Sequence, residues 1–410
     1  MGRWSRAEIE RAFKHYQAMG LLSARTGDWT HWGQVFTDDV TYDEHQLGRW
    51  GGQAAVIKNM AAVMHMTGDE ADMSDPAVKR DRFINMPWLF CNQYPCEDFV
   101  VDEDRGWVWA LIWNRMDDPG DGSIHQANCF NLFKYAGRGR FSFEQDLYNP
   151  LEFQEMMANW VKAVERCGVD VDRAERHVIR AAEARAALGV DDLSTDDLAD
   201  RGAVHFGGGG WSQEPEVPAD APVRAPWDKR ELQQAYDEYV GALNRSARTA
   251  DWSHLGARFM PDATFIETVL GRWAKREAIV REIGAFMHQS GRYPWVFLNR
   301  YVPEAQVIDD ERGWVWAKLV GRFDDPGDGS RHEAEIFVLL KYKQDGLFKS
   351  AETIYNPNEF KAAMSEWKKA RDAAATDAEA TDRMLAERQA RAQAQAPLQL
   401  DDASSASEPG

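Results

Sequence analysis

The strongest constraint on the fold of this chain is an internal repeat. Adding 223 to a residue number in the first part of the chain gives its counterpart in the second: Asp28-Trp29 corresponds to Asp251-Trp252, and Gly48 to Gly271. From residue 87 onward the difference is 207, because the first copy carries 16 additional residues (223 − 207). A solenoid repeat is much shorter, at roughly 20 to 50 residues. The sequence therefore predicts one whole domain that occurs twice.

Three short motifs support this division of the chain. RGWVWA at 105–110 returns at 312–317, DDPGDGS at 117–123 returns at 324–330, and YNP at 148–150 returns at 355–357. We predict domains at 1–165 and 227–372. Between them, 166–226 is predicted to hold a helix and then a linker rich in Gly and Pro, and 373–410 a solvated helix and a disordered tail.

Composition limits the class of protein. A length of 410 residues, 44% of them hydrophobic, suits two domains of ordinary size. A net charge of −19 argues against binding to nucleic acid or an anionic membrane. No apolar stretch is long enough to span a membrane, and the first ten residues lack the apolar part of a secretory signal, so we expect a cytoplasmic protein. Cys91, Cys96 and Cys129 have no cysteine counterparts, and we expect neither disulfides nor a metal-thiolate site.

Hydrophobic spacing predicts the same order of elements in each copy. In the first copy helices are expected at 9–22, 29–36 and 53–63, a short strand at 40–44, and four strands at 87–101, 106–116, 124–135 and 140–148. A further helix is expected at 151–163. Helices followed by an antiparallel meander indicate an α+β fold.

The motifs FTDDVTYDEHQLG at 36–48 and FMPDATFIETVLG at 259–271 resemble the nuclear transport factor 2-like (SnoaL-like) superfamily. This superfamily includes ketosteroid isomerase, scytalone dehydratase, limonene epoxide hydrolase and polyketide cyclases. The resemblance implies two tandem cone-shaped domains, each a curved antiparallel sheet wrapped around helices with an apolar pocket inside. The same cone serves enzymes and binding modules, so it predicts the fold rather than the reaction.

The resemblance suggests a general base in each copy. Glu44 and Glu267 match the position of the base in the isomerase, and burial in an apolar cone raises the pKa of a carboxyl group. The alternative is a carboxylate at a strand end that pairs with Arg49 or Arg272, and both interpretations stay open.

Other candidates follow from the same alignment. Asn131 matches an asparagine in the pocket of the dehydratase and is expected to stabilise an oxyanion, whereas the second copy has Val338 there. His125 and His332 are further catalytic candidates, with a hairpin histidine as the alternative. His45, replaced by Thr268 in the second copy, faces away or serves one site only.

The chain also departs from the dehydratase pattern. Arg25 and Arg248 replace an aspartate, and Trp88 and Trp295 replace a histidine, so the usual acid-base pair is absent. We expect the arginines to hold an oxyanion, with a surface ion pair as the alternative. The tryptophans are expected to stack on a ring of the ligand. Tyr16 and Tyr239, on the first helix of each copy, complete the candidate ligand-binding residues.

Other motifs do not predict a metal or a cofactor. DDPGDGS resembles part of a calcium loop, but Pro119 and Pro326 occupy a ligand position, and a hairpin turn is expected instead. GGGG at 207–210 lacks the lysine of a phosphate loop.

The sequence hypothesis is a cofactor-independent lyase for a hydrophobic aromatic or polycyclic small molecule. Two reactions fit this hypothesis: deformylation of lignin-derived diaryl compounds, and dehydration. Bacterial aromatic lyases of this fold that carry out the deformylation look similar to this chain. A double-bond isomerase and a non-catalytic ligand-binding module are the alternatives. The polar differences between the copies predict that the first holds the better site. The sequence also allows a homo-oligomer in which copies of the chain associate through the faces of their sheets.

Overall fold

The computed structural model describes residues 2–26, 28–65, 87–168, 226–287 and 295–374, together with Ala386. The chain divides into two compact units. Unit 1 comprises Met1–Arg224 and Ile354–Pro357, and unit 2 comprises Ala225–Thr353 and Asn358–Gly410. The predicted linker and almost all of the predicted C-terminal helix and tail lie outside the described residues.

Unit 1 begins with helices and continues with strands. Its described elements are α1 (Arg6–Thr26), α2 (Thr30–Gly33), β1 (Phe36–Glu44), β2 (Gly48–Gly51), α3 (Gln53–His65), a 3₁₀ turn (Pro87–Phe90), β3 (Cys91–Gln93), β4 (Cys96–Asp102), β5 (Trp107–Met116), β6 (Gln126–Gly137), β7 (Arg140–Leu147) and α4 (Pro150–Cys167). This order confirms the predicted α+β class.

Local sequence explains the helices that frame the unit. In α1, Ile9, Phe13 and Tyr16 recur at helical spacing and are buried against the sheet. Helix α4 starts where the side chain of Asn149 accepts a hydrogen bond from the Leu151 N–H at 3.0 Å, with Pro150 as the next residue. The buried apolar face thus holds α1 against the sheet, and the capped start sets where α4 begins.

The sheet of unit 1 is mixed rather than wholly antiparallel as predicted. Its strand order is β2-β1-β7-β6-β5-β3, with β4 also paired to β5. The pairs β4–β5, β5–β6 and β6–β7 form the predicted antiparallel meander, but β1 lies parallel to β7. A helix and the whole meander separate these two strands along the chain, and a long connection of this kind permits parallel pairing.

Unit 2 has the same order of elements. Its described elements are α5 (Lys229–Thr249), α6 (Ser253–Gly256), β8 (Phe259–Glu267), β9 (Gly271–Ala274), α7 (Arg276–Met287), a 3₁₀ turn (Trp295–Phe297), β10 (Leu298–Asp309), β11 (Trp314–Phe323), β12 (Glu333–Gln344), β13 (Leu347–Ile354) and α8 (Pro357–Ala374). The sheet order is β10-β11-β12-β13-β8-β9, and β8 is parallel to β13.

Several boundaries differ from the prediction. Residues 87–90 form a 3₁₀ turn rather than the start of a strand, and β1 begins at Phe36 rather than at Val40. The proline at position 87 has no N–H to donate to a sheet, which favours a turn there. Among the described residues, no helix combines the length and apolar character needed to cross a membrane.

Candidate functional site

Unit 1 encloses a cavity of about 550 Å³ between its first helices, its sheet and the start of α4. Most of its wall is apolar or aromatic, including four methionines, while a few polar groups converge at one end. Its lining residues include Tyr16, Gly20, Trp32, Tyr42, Glu44, Val63, Trp88, Tyr94, Asn131, Asp146, Tyr148 and Phe153. A cavity of this size and lining is typical of small-molecule sites.

The polar end is built on β7 and the residue after it. Glu144, Asp146 and Tyr148 alternate along the chain, and alternate residues of a strand point to the same face of a sheet. Asp146 and Tyr148 reach the cavity, whereas Glu144 lies behind them with no exposed surface. β7 therefore places two carboxyl groups on the inner face of the sheet, and only that of Asp146 reaches the cavity.

Asp146 is the centre of the hydrogen-bond network. Its Oδ2 accepts a hydrogen bond from the Tyr42 hydroxyl at 2.5 Å, and its Oδ1 accepts one from the Asn131 amide Nδ2 at 2.5 Å. Burial, and to a smaller extent the charge of Glu44, raise the pKa of Asp146 to about 7, against the opposing effect of the hydrogen bonds. At neutral pH the side chain therefore exchanges readily between its charged and neutral forms.

Glu144 supports Asp146 from behind. Its Oε1 accepts a hydrogen bond from the Tyr16 hydroxyl at 2.5 Å, and its Oε2 is buried without a hydrogen-bond partner among the described residues. Burial, and then the charge of Asp146, raise the pKa of Glu144 well above its ordinary value. Burial and the neighbouring acid therefore both favour the neutral form of Glu144.

Glu44 has a role in the turn between β1 and β2. Its Oε2 accepts hydrogen bonds from the N–H groups of Gln46 at 2.8 Å and Leu47 at 2.5 Å, and its Oε1 accepts one from the Tyr148 hydroxyl. Burial raises its pKa, although these hydrogen bonds oppose the shift. Glu267 caps the same turn in unit 2, accepting from Val269 N at 2.8 Å.

Unit 2 keeps the turn but lacks the polar cluster. Its residues at the four cluster positions are Phe265 for Tyr42, Val338 for Asn131, Ala351 for Glu144 and Thr353 for Asp146. None of the four replacements carries a carboxyl group. The chemistry that unit 1 assembles at the end of β7 is therefore absent from the equivalent place in unit 2.

Larger side chains also occupy the interior of unit 2. Leu243 replaces Gly20, and Phe286 replaces Val63. The Trp295 ring stacks on Phe286, with centroids 5.7 Å apart, and lies 6.5 Å from Phe323. Aromatic packing thus surrounds the tryptophan whose counterpart, Trp88, lines the cavity in unit 1.

The structure brings some of the predicted residues to the cavity and leaves others outside. Glu44, Asn131, Tyr16 and Trp88 line it together. His125 does not, because it lies in the hairpin after β5 with its Nε2 2.9 Å from Ser123 Oγ.

The remaining predicted residues are placed as follows. His332 repeats the hairpin arrangement of His125, with its Nε2 2.8 Å from Ser330 Oγ. His45 lies near Gln145, which alternates with Glu144 and Asp146 and so is on the opposite face of the sheet. Arg248 is exposed at the end of α5, and Tyr239 is buried in unit 2. The side chain of Arg25 lies outside the described residues.

The sequence reasoning missed four residues of the network: Tyr42, Glu144, Asp146 and Tyr148. A signal for them was present, because Glu144, Asp146 and Tyr148 recur with a period of two inside a predicted strand. The comparison of the copies was a second signal, since both acids are lost together in unit 2.

Among the described residues, no group of three or more His, Cys, Asp or Glu side chains has the arrangement of a metal site. The acidic turn at 117–123 instead uses its side chains internally, with Asp118 accepting from the N–H of Gly120 at 2.8 Å and of Gly122 at 2.9 Å.

Comparison with known proteins gives matches among solved structures only. No protein-family model and no curated protein match the chain. A steroid delta-isomerase from Pseudomonas aeruginosa is 16% identical, with 36% of this chain and 94% of that chain covered and a TM-score of 0.25. An epoxide hydrolase from M. tuberculosis is 11% identical, covering 37% and 95%, with a TM-score of 0.27.

A third similar structure is a putative polyketide cyclase from Xanthomonas campestris. It is 20% identical, with 33% of this chain and 98% of that chain covered and a TM-score of 0.26. The likeness concerns the fold of about one unit, and its scores carry no argument about the reaction.

Proposed function

We propose that unit 1 binds a small, ring-containing apolar molecule and catalyses an acid-base reaction on it as a cofactor-independent lyase. The observation that carries this proposal is Asp146, whose pKa near neutrality suits a general base, at the polar end of an apolar cavity. The sequence hypothesis placed the base at Glu44. We prefer Asp146 because the turn-capping contacts of Glu44 recur at Glu267 in the unit that lacks the polar cluster.

The surroundings of Asp146 favour removal of a proton from carbon beside a carbonyl group. A carboxylate has about four acceptor positions, and the hydrogen bonds from Tyr42 and Asn131 leave the others for the ligand. Asn131 Nδ2 has two hydrogens, and the one not bound to Asp146 is available for a developing oxyanion. After a carbonyl compound loses this proton, it either eliminates the group on the neighbouring carbon or shifts its double bond.

The wall of the cavity supports a neutral ligand. None of the described lining residues is Lys, Arg or His, while Glu44 and Asp146 are both acidic. A carboxylate or phosphate on the ligand would be repelled by these groups and would lose its hydration without a partner. Aromatic rings in the wall, including Trp32 and Trp88, favour a ligand with flat apolar surfaces.

The experiment uses three neutral probes, each suited to one reaction. They are a β-hydroxy ketone with two phenyl rings for elimination, a diaryl propanediol for deformylation, and a β,γ-unsaturated ketosteroid for isomerisation. The purified full-length protein is incubated with each probe, and products are identified by mass spectrometry and chromatography. Elimination or deformylation supports the lyase, and isomerisation without loss of mass supports the alternative enzyme.

Two variants assign the activity to its residue. Asp146→Asn keeps the size of the side chain but removes the base, so turnover should fall about 10²-fold or more. Glu267→Gln is the control in unit 2 and should leave turnover unchanged. Binding of the probes without conversion would instead support a ligand-binding module, and full activity in Asp146→Asn would exclude that residue as the base.

A further inference from the structure

The hydroxyl group of Tyr148 has a fixed direction at the wall of the cavity. It donates its hydrogen to Glu44 Oε1, while Glu44 Oε2 accepts from the N–H groups of Gln46 at 2.8 Å and Leu47 at 2.5 Å. Both oxygens of Glu44 thus act as acceptors, and the side chain holds the Tyr148 hydrogen on the protein side. The Tyr148 oxygen is the part of this hydroxyl group that remains for a ligand.

Two tyrosine–glutamate pairs outside the cavity show how the protein completes such an arrangement. The Tyr135 hydroxyl donates to Glu8 Oε1 at 2.8 Å and accepts from the Gly139 N–H at 3.0 Å. In unit 2 the Tyr342 hydroxyl also donates to a glutamate, and it accepts from the Gly346 N–H at 2.9 Å. A phenolic hydroxyl group can both donate and accept. In both pairs a backbone N–H group fills the accepting position.

Tyr148 lacks this second contact. Among the described residues, no N–H or O–H group donates to its oxygen. Tyr148 lines the cavity and is partly exposed, and its ring packs against Phe153 with centroids 4.5 Å apart. A hydrogen-bond donor on the ligand would complete the pair in the same way that the Gly139 N–H completes that of Tyr135.

We propose that Tyr148 selects ligands with a free hydroxyl group, from which its oxygen accepts a hydrogen bond while Glu44 holds its own hydrogen. This inference rests on the proposed function and narrows the ligand of that site to a hydroxylated carbonyl compound. Tyr148 is the residue that determines specificity, and Glu44 is a positioning residue that acts through it.

The location of Tyr148 indicates where the ligand carries this hydroxyl group. Asp146 and Tyr148 lie two residues apart and both line the cavity, and two residues of extended chain span about 7 Å. Asp146 acts on a C–H bond beside the carbonyl group. The hydroxyl group therefore lies on that carbon or on a neighbouring one, rather than on a distant ring.

The same contacts disfavour a ligand that offers only an acceptor at this point. Burial, and then the charge of Glu44, raise the pKa of Tyr148 well above its ordinary value, so the hydroxyl group keeps its hydrogen. The hydrogen bond to Glu44 also polarises the hydroxyl group and makes its oxygen a better acceptor. An ether oxygen in the same place would face the Tyr148 oxygen with no hydrogen between them.

Benzoin, benzoin methyl ether and deoxybenzoin are matched probes for this selection. Each has two phenyl rings and a C–H bond beside a carbonyl group. That carbon carries a hydroxyl group in benzoin, a methoxy group in the ether and only hydrogen in deoxybenzoin. None of them can eliminate water, so isothermal titration into the full-length protein measures binding alone. We expect the wild-type protein to bind benzoin about tenfold or more tightly than either of the others.

Tyr148→Phe keeps the ring against Phe153 and removes the accepting oxygen. This variant should bind the three probes with affinities within about threefold of one another, and its affinity for deoxybenzoin should stay close to that of wild type. Tyr135→Phe is the matched control, because it also removes a hydroxyl group from a tyrosine–glutamate pair of unit 1, and it should keep the wild-type preference. Melting curves confirm that both variants are folded.

Glu44→Gln tests the direction of the hydrogen bond. Its amide oxygen can accept from the N–H groups of Gln46 and Leu47, so that its NH₂ group donates to Tyr148 and the Tyr148 hydrogen turns to the ligand. We expect this variant to bind the methyl ether within about threefold of benzoin, and both more tightly than deoxybenzoin. Equal weakening of all three probes would show that Glu44 has only a structural role.

Two results would overturn the role of Tyr148: equal binding of benzoin and deoxybenzoin by the wild-type protein, and the wild-type preference retained in Tyr148→Phe. Deuterium incorporation into benzoin in D₂O tests the proposed base separately. Its absence in a protein that prefers benzoin would reject Asp146 as the base and leave the selection by Tyr148 in place. Binding of none of the three probes would reject the proposed ligand class and this inference with it.

Discussion

At the scale of single residues, the balance at Asp146 sets the chemistry of the cavity. Hydrogen bonds from Tyr42 and Asn131 favour the charged form, whereas burial and the neighbouring charge of Glu44 favour the neutral form. Burial is the largest of these effects, and the pKa of Asp146 therefore lies at about 7. A carboxyl group at this value is a stronger base than an exposed aspartate and is still deprotonated in part of the molecules at neutral pH.

This balance predicts the pH dependence of catalysis. Only the deprotonated form of Asp146 accepts a proton, so kcat/KM should increase about tenfold for each pH unit below 7 and level off above it. Rates with the active probe, measured between pH 5 and 9, test this profile. A profile that levels off near pH 4, the ordinary range of an aspartate, would contradict it.

The sequence could predict the site only in part. Asn131 was found because its position matches a known pocket residue, and Glu44 because it follows the recognised motif on β1. Asp146 and Glu144 lie about a hundred residues further along, on a strand that the motif does not include. Their contacts with β1 and α1 depend on the parallel pairing of β1 and β7, which spacing along the chain does not reveal.

At the scale of elements, the turn between β8 and β9 shows what the repeated glutamate contributes. Glu267 accepts hydrogen bonds from Val269 N at 2.8 Å and Leu270 N at 2.6 Å. Glu267→Ala should leave both N–H groups without this partner and lower the free energy of unfolding of unit 2 by about 1–3 kcal/mol. Urea denaturation measures this loss, and turnover should be unchanged. A large loss of turnover would show that unit 2 takes part in the reaction.

Helix α1 provides a second prediction, because Gly20 leaves space that Leu243 fills in unit 2. A Cβ atom at Gly20 would lie 3.6 Å from Trp32 Cδ1, which is an ordinary contact, and a longer side chain would extend into the cavity. Gly20→Leu should weaken probe binding at least tenfold, while the gain in helix propensity adds up to about 1 kcal/mol of stability.

Gly20→Ala is the matched control for this change. It restores helix propensity without a side chain long enough to enter the cavity, so its affinity for the probe should remain close to that of wild type. Isothermal titration of both variants gives the comparison. Wild-type affinity in Gly20→Leu would place the ligand elsewhere.

The order of the elements was predictable because hydrophobic period and motifs mark helices and strands locally. The helix before β1 and the four-part meander after α3 were both expected. Two features were not: the parallel pair β1–β7, which joins strands distant in sequence, and the 3₁₀ turn at Pro87–Phe90. Pairing depends on which edges meet in space, and only short hairpins reveal it in the sequence.

At the scale of the whole molecule, the two units share their order of elements but differ in their interiors. Unit 1 has carboxyl groups at Glu144 and Asp146 where unit 2 has Ala351 and Thr353, and it has Gly20 where unit 2 has the bulkier Leu243. A function built on buried carboxyl groups should reduce stability, because these groups lose hydration in the folded state. Unit 2, without them, is the internal reference for this effect.

The difference predicts how the stability of each unit changes with pH. Burial raises the pKa of Asp146 from its ordinary 3.8 to about 7, so the folded state binds its proton more tightly than the unfolded state. The contribution of Asp146 to the stability of unit 1 should therefore fall as the pH rises from about 4 to 7 and stay level above 7. The fall is about 1.4 kcal/mol for each tenfold difference in proton affinity.

Hydrogen exchange with mass spectrometry measures this change in each unit separately. Peptides of β6 and β7 report on unit 1, and peptides of β12 and β13 report on unit 2, after correction for the intrinsic effect of pH on exchange. Asp146→Asn should reduce the pH dependence of the first set and leave the second unchanged. Equal pH dependence of β6–β7 in wild type and variant would contradict the assignment.

The central claim is that Asp146 removes a proton from a ligand in the cavity of unit 1. Its most direct test is deuterium incorporation into the active probe in D₂O, followed across pH in wild-type protein and in Asp146→Asn. We predict incorporation that rises through about pH 7 in the wild type and is at least 10²-fold slower in the variant. Incorporation in Asp146→Asn at the wild-type rate, with the same pH dependence, would contradict the claim.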